Sequence, residues 1–274
     1  MQETRTLEVF FISDRTGITA ESFGRSLLTQ FAEDRIHYNT LPYIDTEEKM
    51  SAVINRVDSA VKSGRRVIAF STISNEKLRQ RLGTCDFFVL DLFSACLPAL
   101  QTALDLKSSP AIGQTHGMGN QSRYMARMDA VNFTLNVDDG LRTRDYEEAD
   151  IILAGVSRSG KTPTCLYLAM QFGIRAANYP LLGDELENGT LPVALKTWKS
   201  RVFGLQIDPL TLQRIRQARR PDSTYASAEQ CRREVRLIDA MFKQEGIPVI
   251  ESSSMSVEEL ATTLMQKAGL HRQF

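Results

Sequence analysis

The chain has 274 residues, enough for one large domain or two modest ones, each with an ample core. Lys plus Arg and Asp plus Glu each total 33, so the formal net charge is zero, which argues against a general nucleic-acid binder. No apolar run approaches the roughly 18 residues of a membrane span. The start Met1-Gln2-Glu3-Thr4-Arg5 lacks the layout of a signal peptide. Cys85, Cys96, Cys165 and Cys231 are scattered without C-x-x-C spacing, and His37, His116 and His271 form no ligand cluster. The expectation is a cytoplasmic protein with reduced thiols and no zinc site.

Leu7 to Ser13 reads as a strand, Asp14 to Thr19 as a loop, and Ala20 to Phe31 as a helix. Ile36 to Ile44 is extended. An amphipathic helix follows, capped by Asp45 or Thr46 and ended by Gly64, with Met50, Val53, Ile54, Val57 and Val61 at spacings of three and four. Val67 to Phe70 and Phe87 to Leu90 read as strands, Asn75 to Leu82 and Leu92 to Leu106 as helices. From Lys107 to Asn120 the text is loop-like, with Gly113, Gly117 and Gly119, and His116 in a turn; a helix-compatible stretch then leads to Asp138-Asp139-Gly140. Further on, Ala176 to Pro180, Val202 to Ile207 and Ile247 to Ile250 read as strands. Leu181 to Pro192 reads as a polar loop, and Leu210 to Ala218, Ala226 to Glu245 and Val257 to Ala268 as helices. Strands alternate with helices, so the fold class is α/β with mainly parallel sheets. We divide the chain into an N-terminal α/β domain (1–106), a connection (107–145) and a C-terminal P-loop kinase-like domain (146–274).

The C-terminal part is organised around Ala149 to Gly173. Gly155, Gly160, Lys161 and Thr162 complete G-x-x-x-x-G-K-[ST] between the apolar strand Ile151-Ile152-Leu153-Ala154 and a helix carrying Leu166, Leu168, Ala169 and Phe172. Pro163 suits that helix's first turn, where its missing N–H costs nothing. In this context Gly155, Val156, Ser157, Arg158, Ser159, Gly160, Lys161 and Thr162 cradle phosphate with backbone N–H groups. Lys161 reaches the outer phosphates, and Thr162 holds a magnesium ion. The two halves are similar: FFISDRTGITAESFGRSLLTQF lies over IILAGVSRSGKTPTCLYLAMQF, which sets Gly17 over Gly160 and Ile18 over Lys161. An old duplication and convergence both produce such a match, and a duplication makes the first loop a degenerate phosphate loop.

Phosphoryl transfer asks for positioning and positive charge. Asp208, after the strand VFGLQI, is either a second magnesium ligand or the N-cap of the next helix. Asp184 and Glu185 lie past the second strand of this half, where open α/β sheets collect ligands, and either could be the base for an attacking hydroxyl. The late basic residues, among them Lys196, Lys199, Arg201, Arg214, Arg216, Arg219, Arg220, Arg232, Arg233 and Arg236, read mostly as solvated helix faces. Arg158 within the loop is the most suggestive phosphate clamp.

ADIILAGVSRSGKTPTCLYLAMQFGIRAANYP, FGLQIDPLTLQRIR, YASAEQCRREV and ISDRTGITAE together resemble the phosphoenolpyruvate synthase regulatory protein family, whose relatives regulate pyruvate, phosphate dikinase. The likeness runs nearly end to end, and Tyr225 to Cys231 looks more like the synthase-directed branch. The resemblance implies a bifunctional enzyme: an ADP-dependent kinase of a threonine near the catalytic histidine of phosphoenolpyruvate synthase, and a phosphorylase that reverses the modification with inorganic phosphate and releases pyrophosphate. It implies catalytic roles for Lys161, for Asp184 as proton acceptor with Glu185 beside it, and for Arg201 as a neutraliser of phosphate charge. Magnesium on Thr162 and Asp208 and a homodimer complete the expectation. Arg15 stands where the family has a small residue, and Val137 where a histidine is common. On physics alone, a small-molecule P-loop kinase fits equally well.

Overall fold

The structure, a computed structural model, describes residues 6–31, 35–108 and 121–273, with the backbone alone for 121–123. The glycine-rich run 109–120, with His116, lies outside the described residues. The chain divides into two compact units, Met1–Gly117 and Met118–Phe274.

The first unit runs β1 (Leu7–Ser13), α1 (Ile18–Leu28), β2 (Ile36–Leu41), α2 (Glu47–Lys62), β3 (Arg66–Thr72), α3 (Glu76–Leu82), β4 (Phe88–Asp91) and α4 (Leu92–Leu104). The second begins with α5 (Gln121–Asn136), β5 (Ile151–Gly155), α6 (Lys161–Tyr167) and β6 (Ala176–Pro180). Two one-turn helices follow, α7 (Asp184–Glu187) and α8 (Val193–Lys196). The unit closes with β7 (Val202–Gln206), α9 (Pro209–Arg219), α10 (Ala228–Glu245), β8 (Val249–Glu251) and α11 (Val257–Ala268). The sheets run β2-β1-β3-β4 and β6-β5-β7-β8, every pair parallel. Each unit therefore reverses its strand order beside its first strand, and in open parallel sheets the crevice for ligands lies there, at the strands' C-terminal ends. The two halves are similar in topology as well as in sequence.

Both faces of each sheet are covered, so the central strands β1 and β5 are buried along their whole length. On β5, Ile151 and Leu153 pack with Cys165, Leu168, Leu260 and Leu264, while Ile152 and Ala154 face Tyr146, Leu195, Leu212 and Phe242. Each such aliphatic side chain adds about 1.5–3 kcal/mol by leaving water. Caps set the helix starts. Thr46 Oγ1 accepts from Lys49 N at 3.3 Å, Asn75 Oδ1 from Lys77 N at 3.0 Å, and Ser256 with Glu259 forms a full capping box.

Two stretches differ from their sequence reading. The helix after the glycine loop gives way to a π turn at Leu168–Phe172, because apolar spacing does not separate 3.6 residues per turn from a wider turn. The polar loop Leu181–Pro192 contains α7, which lacks apolar periodicity and starts behind Gly183. At the end of β1, Ser13 Oγ accepts from Thr72 Oγ1 at 3.0 Å, and the buried Asp14 carboxylate accepts from Ser74 N at 2.6 Å. Gly17, at φ +81°, precedes α1 as Gly160, at φ +93°, precedes α6, both without a side-chain cap.

Gly204 on β7 touches α10 directly: a Cβ there would lie 2.4 Å from Cε2 of Phe242. Gly204→Ala should therefore cost roughly 1–3 kcal/mol in urea unfolding, as overpacking does. Adding Phe242→Leu should recover part of that loss.

Candidate phosphate-binding site

Gly155 ends β5 with no room for a side chain; a Cβ would lie 2.8 Å from Ser159 Oγ and 2.9 Å from the Leu205 carbonyl oxygen. Ser159 N donates to the Val156 carbonyl at 3.3 Å and closes the loop. Arg158 and Gly160 both take left-handed backbone, φ +76° and +93°. For the arginine this costs about 1–2 kcal/mol, and alternation of this kind turns successive N–H groups toward one side as an anion nest. Ser159 Oγ is buried without a hydrogen-bond partner. The loop sequence builds a receptor for oxygen-rich anions at the switch point of the sheet.

Lys161 opens α6 and is 4% exposed. Its Nζ donates to the Val156 carbonyl at 2.9 Å, inside the loop. Burial lowers this ammonium to about 8, against the opposing pull of Asp139, Cys165 and Asp138. Thr162 Oγ1 donates to Asp138 Oδ1 at 3.0 Å. Asn178 Nδ2 donates to the same carboxylate oxygen, and Asn178 Oδ1 accepts from Asp139 N at 3.2 Å. Asp138 and Asp139 belong to the 3₁₀ turn Asp138–Gly140, where Gly140, at φ +74°, lies against the ring of Tyr179. Tyr146 OH donates to the Asn178 carbonyl at 3.0 Å, which fixes β6 beside the turn.

Behind the loop lies Arg216, fully buried. Its Nη2 donates to the Ser157 carbonyl at 3.1 Å and to Glu234 Oε2 at 2.6 Å, and its Nη1 donates to the Tyr225 carbonyl at 3.1 Å. The guanidinium stacks on the Tyr225 ring at 4.1 Å, and Tyr225 OH shares a hydrogen bond with Ser157 Oγ at 2.9 Å. Gln230 Nε2 donates to the other oxygen of Glu234 at 2.9 Å. The segment Tyr225 to Cys231 and helices α9 and α10 thus converge on the back of the glycine loop. The reading of Arg216 as a solvated residue is corrected here. Leu212 and Arg216 share the inward face of α9, and Glu234 supplies the opposite charge.

The other singled-out residues fall in different places. Leu181 N donates to the Gly155 carbonyl at 3.1 Å, so the segment leading to Asp184 leaves from beside the loop. Asp184 is exposed in the first turn of α7. Glu185 accepts from Tyr179 OH, and burial followed by that carboxylate pushes the phenol up to about 12. Arg158 is exposed. Asp208 is the N-cap of α9, its Oδ2 accepting from Thr211 N at 2.8 Å. Arg201 lies at the N-terminal end of β7, the far end of a parallel sheet from the loop, and its Nη1 donates to the carbonyls of Glu147 and Ala149 at 2.7 and 2.8 Å. Among the described residues no group of three or more His, Cys, Asp or Glu comes together to hold a metal, and no helix is long and apolar enough to cross a membrane. Cys165 and Cys231 are buried free thiols.

Removing one partner of a buried ion pair leaves the other charge stranded, at a cost of about 3–5 kcal/mol. Glu234→Ala should therefore lower unfolding stability by that amount in a denaturant titration. Tyr225→Phe, which removes only the bond to Ser157, should cost about 0.5–1.5 kcal/mol.

The sequence profile described as Kinase/pyrophosphorylase matches residues 9–265. A protein of Pseudomonas savastanoi pv. phaseolicola is 50% identical over 266 residues, 97% of this chain and 98% of its own. A protein of Pseudomonas aeruginosa is 49% identical over 275 residues, all of both chains, and one of Pseudomonas putida is 49% identical over 266 residues, 97% of this chain and 98% of its own. All three are named "Putative phosphoenolpyruvate synthase regulatory protein". With its glycine loop intact and the profile matched almost from end to end, the chain belongs to the kinase/pyrophosphorylase family.

Proposed function

We propose that the C-terminal unit binds ADP in the loop Gly155 to Thr162 and reversibly phosphorylates a threonine of phosphoenolpyruvate synthase near that enzyme's catalytic histidine. The observation that carries the reading is the buried Lys161 at the head of a helix whose preceding loop alternates left-handed residues, a built receptor for transferable phosphate. The name of the relatives supports the synthase, over pyruvate, phosphate dikinase, as target. The cytoplasm is the compartment that this reading requires.

In the kinase direction the threonine hydroxyl oxygen attacks the β-phosphorus of ADP, the bond to the α-phosphate oxygen breaks, and AMP leaves. In the phosphorylase direction an oxygen of inorganic phosphate attacks the phosphothreonine phosphorus, the threonine oxygen leaves as the hydroxyl by taking the proton of the attacking phosphate, and pyrophosphate forms. Lys161 and the loop N–H groups balance charge on the phosphate oxygens in both directions. Asp184 takes the hydroxyl proton; it is exposed beside the loop, whereas Glu185 is engaged by Tyr179. Arg201 anchors the start of β7. The Thr162 hydroxyl, beside a carboxylate, fits a magnesium ion. When bound, that ion neutralises phosphate charge.

Incubation of the synthase with ADP labelled in its β-phosphate should label a threonine, and an unlabelled synthase would sink the proposal. Lys161→Ala should abolish both directions. Asp184→Asn should leave ADP affinity unchanged and slow threonine phosphorylation about 10²–10⁴-fold; a parallel fall in binding would remove Asp184 as the base. Because the Lys161 ammonium of the free protein titrates at about 8, its charged form is complete at lower pH and is lost as pH rises through that value. ADP affinity measured calorimetrically should fall as pH rises above 8, toward about tenfold per pH unit.

A further inference from the structure

A carboxylate stands beside the glycine loop. Asp138 Oδ1 accepts from Thr162 Oγ1 at 3.0 Å and from Asn178 Nδ2, and Asp139 follows it in the same 3₁₀ turn. Negative charge this close to a phosphate receptor repels its ligand. The repulsion disappears when a divalent cation joins carboxylate to phosphate. The oxygen chemistry is right for a hard cation: a threonine hydroxyl in the first turn of the helix and a carboxylate oxygen within hydrogen-bond reach of it. The carboxylate is also held still. Asn178, 1% exposed on β6, donates to Asp138 and accepts from Asp139 N, and Tyr146 secures the Asn178 carbonyl. Magnesium sites of nucleotide enzymes use one or two carboxylates with phosphates and water, so no cluster of three acidic groups is required. Asp208, in contrast, commits its Oδ2 to the first turn of α9.

We infer that Asp138 and Thr162, braced by Asn178, form the divalent-cation site of the glycine loop, and that the cation enters together with the nucleotide. The inference rests on ADP binding in that loop. It assigns the carboxylate to a turn that precedes β5 in the chain, where P-loop enzymes draw it from a later strand.

Manganese serves as the probe. Its affinity for the protein–ADP complex is read by electron paramagnetic resonance, and ADP affinity is read by calorimetry in the presence of chelator. Asp138→Asn keeps an acceptor for Thr162 and Asn178. It should weaken manganese binding to the ADP complex by about 10–100-fold or more, while metal-free ADP binds as tightly as to the unaltered protein, or more tightly. Thr162→Val should also weaken the metal. Asp208→Asn keeps the helix cap and should leave manganese affinity unchanged. An Asp138→Asn protein that holds manganese normally overturns the inference but leaves ADP binding standing, as does loss of the metal in Asp208→Asn alone. If the unaltered protein takes up no ADP, the nucleotide reading and this inference fall together. The unfolding midpoint of each variant without ligands shows whether the 3₁₀ turn has survived.

Discussion

The second unit depends on one buried cation. Arg216 lies behind the glycine loop with no exposure to water and holds the Ser157 carbonyl, the Tyr225 carbonyl and the Glu234 carboxylate at once. A loop of glycines and serines has little intrinsic shape, because small residues lose more freedom on ordering than they recover in contacts. The guanidinium supplies what the loop lacks. It clamps the carbonyl side of the turn to α9 and α10, which leaves the N–H side to face the crevice. The ion pair need not add net stability, since desolvation of both charges offsets much of their attraction. Its contribution is to fix the position of a segment that sequence alone would leave loose.

The front of the loop is organised by charge in the opposite sense. Lys161 is buried and drawn inward to Val156, while Asp138 and Asp139 stand opposite, positioned by Asn178. The loop in the first unit has a related backbone, with Gly17 in the place of Gly160, and its lysine position holds Ile18. There the polar groups at the strand ends satisfy one another: Thr72 donates to Ser13, and Ser74 donates to Asp14. The same topology thus yields one set of strand ends whose polar side chains are bonded, Ser13 to Thr72 and Asp14 to the Ser74 backbone N–H, and one that leaves Ser159 Oγ without a partner.

Much of this was legible in the chain. β1, β6 and α11 have the bounds read from the chain, Leu7–Ser13, Ala176–Pro180 and Val257–Ala268, because the signals for a strand or helix are local. The glycine loop was legible for the same reason. What sequence reading missed is contact across the chain. Asp138 meets Thr162 from 24 positions earlier, and a DDG turn looks like any connection. Arg216 reads as one of many basic residues until its phase is noticed: it shares the apolar face of α9 with Leu212, while Glu234 keeps step with Cys231 and Ile238 on α10. Opposite charges on the inward faces of neighbouring helices were the available signal. The resemblance gives Arg201 a phosphate-neutralising role, but the start of a parallel strand lies at the edge opposite the ligand crevice.

The hydrogen bond from Lys161 to the Val156 carbonyl gives the ammonium a partner within the loop that competes with a phosphate. Any phosphate that draws the ammonium outward exchanges one partner for another and leaves a buried carbonyl oxygen in need of a new donor. Affinity is then the difference between two bonded states and stays moderate even where the final contacts are strong. In the proposed reaction, which parts with product after every turnover, a lysine with two homes acts as a built-in exchange valve.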